Sequence, residues 1–155
     1  MDEIAESKKC PMFSFQSTNE DLRKLSDLKG QKVVLYFYPR DNTPGCTSEA
    51  LDFKSKLRSF KNQNAVILGV SRDSLKSHFK FIEKYKLPFD LISDEDENIC
   101  NLFDVIKEKN MYGKKIMGIE RSTFIIDEKG VIIKIWRKIK VVDHVQEVLA
   151  VLKSI

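Results

Sequence analysis

The chain has 155 residues, 42% hydrophobic and 32% charged, with a net charge of +4 and three cysteines. These values fit a single domain over residues 1–155, long enough to bury one core. Scattered lysines without an aromatic-interleaved basic stripe exclude nucleic-acid binding, the lack of a long apolar stretch excludes a membrane span, and an odd cysteine count argues against a secreted disulfide framework.

The opening MDEIAESKKC is acidic and polar and has no apolar signal core, so a cytoplasmic protein is expected. Residues 1–9 read as a loosely held arm. Residues 10–15 read as a short edge strand with Phe13 and Phe15 on one face. Cys10 has no ligand-like neighbour and reads as an inert N-terminal residue. Residues 17–32 are polar and predict a hairpin-like piece with one helical turn at 26–29.

Residues 33–38, VVLYFY, form an unbroken β-branched and aromatic run. Such a run predicts a central strand covered on both faces. Pro39 stops it, and Asp41, Asn42, Thr43, Pro44 and Gly45 are turn residues. Cys46 follows, and Thr47, Ser48 and Glu49 open a helix expected to run to about residue 62, with Phe53, Lys56, Leu57 and Phe60 at helical spacing.

Cys46 therefore falls where a turn becomes a helix. Free backbone N–H groups and the positive end of the helix dipole meet there, an environment that favours a nucleophilic thiolate. Thr43 stands three residues earlier, where its hydroxyl can donate and accept beside the sulfur. Pro39 and Pro44 stiffen the loop and remove N–H groups that would bind water. In a second account Cys46 only packs at the junction, and Thr43 and the prolines only make a turn. That account explains their residue types but not their grouping around a cysteine.

Residues 65–71 predict a second buried strand. Asp73 and Ser74 offer caps for a helix to about residue 85, with an apolar stripe of Leu75, Phe79 and Ile82. His78 beside that stripe reads as a surface or half-buried residue, since no cysteine or second histidine keeps metal spacing with it. Residues 88–93 predict a third strand. The run Asp94, Glu95, Asp96 and Glu97 fails as an EF-hand, because Ile99 and Val105 occupy the required Gly and Glu positions. It reads as capping for a short helix over 98–104, in which Cys100 lies beside a core face of Ile99, Leu102 and Phe103. Residues 107–118 read as a long basic loop. A strand at 121–127, a turn at 128–130 and a strand at 131–137 follow. A final helix over 143–152 turns Val145, Val148, Leu149 and Leu152 inward and leaves His144 exposed. The order implies an α/β sandwich with a mixed sheet.

Two strings add a resemblance. YFYPRDNTPGCTSEA is similar to the peroxiredoxin active site, in the form found in the bacterioferritin-comigratory, or Q-type, subfamily. MYGKKIMGIERSTFIID resembles the same subfamily's second signature, and the likeness runs from about residue 13 to residue 152. The resemblance implies a thioredoxin-like fold, with a mixed central sheet flanked by helices. It also implies a thiol-dependent peroxidase acting on hydrogen peroxide and organic hydroperoxides without a cofactor, since the cysteine itself carries the electrons. In that reading Cys46 attacks the peroxide, Thr43 orients it, Pro39 shapes the loop and Arg121 supplies positive charge. Without the resemblance, Arg121 reads equally well as a charged residue entering a strand. Glu49 matches the family string too, but its expected role is only to favour the helix N-terminus.

One departure bears on the cycle. Many members of the subfamily carry a second, resolving cysteine five residues after the first, where this chain has Leu51. Two routes stay open. In the favoured one Cys46 works alone and an external thiol, such as thioredoxin, glutaredoxin or a small thiol, reduces its sulfenic acid. In the other, Cys100 resolves it from another helix. A monomer or weak homodimer is expected. Two further readings compete: a thioredoxin-like disulfide reductase, which lacks its first cysteine because Thr43 stands there, and a non-enzymatic redox sensor, for which no partner motif appears.

Overall fold

The computed structural model describes residues 4–155 and is built around the expected central strand, β2 (Lys32–Phe37). Its side chains alternate between two cores: Val33, Leu35 and Phe37 enter one, and Val34, Tyr36 and Tyr38 enter the other. β2 pairs in parallel with β3 (Ala65–Ser71) and antiparallel with β7 (Ser122–Ile126). Beyond β3 lies β4 (Asp90–Ser93), edged by the short β1 (Gln16–Ser17), and beyond β7 lies β8 (Ile132–Trp136). The result is a mixed six-stranded sheet in the order β1-β4-β3-β2-β7-β8.

Helices α1 (Pro44–Ser55), α2 (Leu57–Asn62), α3 (Leu75–Tyr85) and α5 (His144–Ser154) cover the face that carries Tyr36, through Phe53, Phe60, Phe81 and Val148. The opposite face is covered by α4 (Asn98–Leu102), Phe103 and the N-terminal segment with Cys10, Leu22 and Leu25. Asp94 caps α4 as expected, its carboxylate accepting from the N–H groups of Ile99 at 3.0 Å and Cys100 at 2.7 Å.

Several local expectations need correcting. Residues 1–3 of the predicted arm lie outside the described residues. The rest of it is held, with Ser7 N–H and Cys10 N–H donating to the carbonyls of Ile132 and Gly130, both at 2.8 Å. The basic loop is a two-stranded hairpin of β5 (Ile106–Met111) and β6 (Lys114–Ile119), turned by Tyr112 and Gly113, which both take positive φ. Its lysines hid the pairing because strands of a solvated hairpin need no apolar alternation. The helix after Cys46 breaks at Lys56 instead of running through. His78 and His144, expected near the surface, are 0% and 3% exposed, whereas Phe79 is 51% exposed. The stripe of α3 is thus rotated so that His78 and Phe81 point inward. Only a partner for the imidazole permits that, and one is present (below).

β3 approaches its neighbours closely at Gly69. A Cβ there would come within 2.8 Å of Leu91 Cδ2 and 2.9 Å of the Tyr36 ring end. Tyr36 cannot yield, since it stacks on Phe53 at a centroid distance of 4.6 Å. Gly69→Ala is therefore expected to lower stability by about 1–3 kcal/mol, read as a drop in the urea midpoint. An unchanged midpoint would mean that the ring is free to move.

Candidate active site

The site is assembled where β2 ends. Pro39 ends the strand, and residues 40–43 turn the chain into α1, whose N-cap is Thr43 and whose first residue is Pro44. Proline suits that position because its missing N–H has no helical partner there in any case. The first intrahelical bond runs from Thr47 N–H to the Thr43 carbonyl at 2.8 Å. The N–H groups of Gly45 and Cys46 precede it, so both stay unclaimed by the helix. The Cys46 side chain is 2% exposed. The Thr43 hydroxyl donates to the Arg40 carbonyl at 2.8 Å, which leaves its oxygen lone pairs as acceptors.

Arg121 comes from far along the chain. The β2–β7 ladder pairs Phe37 with Ser122, so Arg121, one residue before β7, arrives level with the start of the Pro39 turn. Its Nη2 donates to Cys46 Sγ at 3.4 Å and its Nη1 donates to Glu49 Oε1 at 2.7 Å. Gly45 makes room for this approach, because a Cβ there would lie 3.2 Å from Arg121 Nη2. The structure thus brings Pro39, Thr43, Cys46 and Arg121 to one end of the sheet.

Glu49 was missed as a site residue. It sits in the second turn of α1, not the first, and is 0% exposed. Its position three residues after Cys46 puts it on the same helix face, a signal that the helix-start reading masked. Burial raises its carboxyl to about 7, against the opposing pull of Arg121, and its Oε2 has no hydrogen-bond partner among the described residues. Lys109 of the hairpin was also unforeseen. Its Nζ donates to the Ile119 carbonyl, and it lines a shallow cleft with Pro39, Arg121 and Lys138. Burial and then Arg121 hold its ammonium below the usual lysine range. Behind Arg121, Thr123 and His144 Nε2 are 2.8 Å apart, and burial followed by Arg121 lowers the imidazole to about 4.

The other cysteines lie elsewhere. Cys46 packs in the core on the Tyr36 face, while Cys10 and Cys100 pack in the core on the opposite face. All three are free and buried. Burial pushes the Cys10 thiol up to about 12, and burial together with Asp94 pushes the Cys100 thiol well above the ordinary range.

Residues 7–135 match the model of the AhpC/TSA family. The chain is 52% identical over 147 residues to the Peroxiredoxin Bcp of Bacillus subtilis, covering 95% of this chain and 94% of the relative. A structure of the Xanthomonas campestris bacterioferritin comigratory protein, solved to study its alkyl peroxide reduction activity, superposes with a TM-score of 0.85 at 49% identity, over 92% of this chain and 90% of that one. A cysteine-to-serine form of Xylella fastidiosa PrxQ gives a TM-score of 0.87 at 46% identity, over 99% and 94%.

Two buried groups of this site oppose each other in pH. Glu49 is raised from 4.5 to about 7, so its stabilising share is full below 4.5 and is lost as pH rises through 7. His144 is lowered from 6.5 to about 4, so its share is full above 6.5 and is lost as pH falls through 4. Glu49→Gln is expected to leave a protein that melts progressively lower as pH falls across that window, and His144→Gln one that melts lower as pH rises. The Glu49 arm should amount to about 3 kcal/mol, read by thermal melting across the window. Two variants with the same pH profile would contradict this assignment.

Proposed function

The chain belongs to the AhpC/TSA family and is a thiol-dependent peroxidase with the thioredoxin-like peroxiredoxin fold, and from that membership we propose that its cycle runs on Cys46 alone, with an external thiol as reductant. The contact of Arg121 with both Cys46 and Glu49 carries the choice of Cys46, and the separation of Cys46 from the other two cysteines carries the external route.

The chemistry follows from these donors. The Cys46 thiolate attacks one peroxide oxygen, an S–O bond forms and the O–O bond breaks. The leaving oxygen takes a proton and departs as water or an alcohol, and Cys46 becomes a sulfenic acid. Arg121 and the N–H groups of Gly45 and Cys46 stabilise the negative charge that develops on the oxygens. The Thr43 oxygen, its own proton committed to Arg40, accepts the hydroperoxide O–H. Pro39 walls the cleft. Glu49 fixes the guanidinium plane, because a bidentate fork held at one end has little freedom at the other.

The separation of the cysteines supports the external route. A bridge from Cys46 to Cys100 or Cys10 needs Cα atoms within about 7 Å, and the sheet stands between their cores. The reductant is then thioredoxin, glutaredoxin or a small thiol. Organic hydroperoxides join hydrogen peroxide as substrates on the strength of the Xanthomonas campestris relative, whose alkyl peroxide reduction is described. A disulfide reductase is disfavoured because Thr43 replaces the sulfur it would need.

One domain spans residues 1–155, supported by a sheet that joins strands from Gln16 to Trp136. A monomer or weak homodimer fits the exposed apolar side chains, of which Met111, Tyr112, Ile116 and Met117 lie on the β5–β6 hairpin and others, such as Met12, Phe79 and Val142, lie apart from it. No helix among the described residues is long and apolar enough to cross a membrane.

Intact mass after one equivalent of hydrogen peroxide, with sulfenic-acid trapping, tests the cycle. The parent, Cys10→Ser and Cys100→Ser should each gain one oxygen, trapped at Cys46, and Cys46→Ser should not. A parent that loses two hydrogens, with the loss abolished in Cys100→Ser, would replace this route with an intramolecular disulfide. Peroxide consumption unchanged in Cys46→Ser would remove the nucleophile assignment. Arg121→Met should slow Cys46 oxidation by about 10²–10³-fold in stopped flow.

A further inference from the structure

Asp41, in the turn between Pro39 and Cys46, is 8% exposed and its carboxylate is saturated. Oδ1 accepts from the Tyr38 hydroxyl at 2.6 Å, and Oδ2 accepts from the Ser77 hydroxyl at 2.8 Å. Oδ2 also lies 2.7 Å from His78 Nδ1. The opposite nitrogen, His78 Nε2, lies 2.9 Å from the Ile92 carbonyl of β4. A carbonyl offers only lone pairs, so Nε2 carries a hydrogen. A carboxylate only accepts, so Nδ1 carries a hydrogen toward it as well. Asp73 adds a second carboxylate, with Oδ2 accepting from the Asp41 N–H at 2.9 Å and from the Ser71 hydroxyl at 2.5 Å.

These three side chains have the composition of a metal site, and their ligand atoms fall within 4.8 Å of one another. Each of those atoms is instead spent on a hydrogen bond within the protein. A buried carboxylate such as Asp41 favours a cation beside it, and the imidazole is the group within reach.

We infer that His78 is a positioning residue of the peroxidase: as an imidazolium protonated on both ring nitrogens, it ties Asp41 in the active-site turn to Ile92 in β4 and so sets the placement of Thr43 and Cys46 against Arg121. The inference rests on Cys46 being the peroxide-attacking residue. The clamp continues along α3, where Lys84 Nζ and the Tyr85 hydroxyl donate to Asn42 Oδ1 at 3.2 and 3.1 Å. α3 therefore grips two successive residues of the turn, Asp41 at the buried end and Asn42 at the exposed end. Within the turn itself Asn42 takes a positive φ of 60° and Pro44 has no N–H.

The test has two arms. The first reads the ring-nitrogen resonances of isotope-labelled histidine in the reduced protein, without turnover. The chain has two histidines, and His144→Gln identifies the second. His78 should show both nitrogens protonated at neutral pH, and Asp41→Asn should abolish that pattern. A neutral imidazole at His78 in the parent overturns the proposal. The second arm compares two substitutions that keep different halves of the bridge. His78→Asn puts an amide donor near the place of Nδ1, facing Asp41, and His78→Gln puts one near the place of Nε2, facing Ile92. Stopped-flow oxidation of Cys46 should slow about threefold to tenfold in His78→Asn, which loses the Ile92 end of the tie, and about tenfold or more in His78→Gln, which frees Asp41, whatever the two melting temperatures. Equal rates in the two variants, at the parental level or equally reduced, overturn a role exerted through Asp41. Failure of the peroxidase reading itself would show separately, as unchanged peroxide consumption in Cys46→Ser.

Discussion

One guanidinium ties the site together. Arg121 is bonded to the Glu49 carboxylate on one side and to the Cys46 sulfur on the other, and both partners stand on the same face of α1. This arrangement needs three things at once. The β2–β7 register must bring Arg121 level with the turn, α1 must start as early as Pro44, and residue 45 must be small enough to let the fork pass. An arginine suits the task where a lysine would not, because its planar fork serves an anion and a sulfur along separate N–H bonds. The buried carboxylate is the unusual member. It lies in an environment that resists its charge, and only the guanidinium makes ionisation tolerable.

A second buried charge pair, His78 and Asp41, lies on the far side of the same turn. The two pairs hold the segment between Pro39 and Glu49 from opposite directions: Arg121 from β7, and α3 from beyond β3. Buried ion pairs add little to stability for the desolvation they incur, but they fix geometry where an apolar contact would allow several packings. An attacking sulfur needs such fixing, because its reaction is sensitive to displacements far smaller than a side chain.

Much of this was legible in the chain. The run VVLYFY announced a strand buried on both faces, and the residues around Cys46 announced a strand-turn-helix junction. Arg121 was legible only through its resemblance, since nothing local says that a residue 75 positions away will touch a sulfur. The histidines and Glu49 were misread for a common physical reason. A polar side chain is placed at the surface by default, and only a partner from another element permits its burial. Those partners, Asp41, Thr123 and Arg121, are remote in sequence from His78, His144 and Glu49. The hairpin at 106–119 escaped for the opposite reason: it is solvated on its strands and shows no apolar period.

In the proposed single-cysteine cycle, the sheet that parts Cys46 from Cys10 and Cys100 has a consequence for timing. A sulfenic acid with no thiol in its own compartment persists until a molecule from outside meets it. Its lifetime is then set by how often that reductant reaches the sulfur, and so by the reductant's concentration. A second peroxide competes for the same sulfur during that interval and would carry it to the sulfinic acid, where thiols no longer restore it. The ratio of peroxide to reductant in the surroundings, and not either concentration alone, decides whether a turnover ends in recovery or in permanent loss of the enzyme.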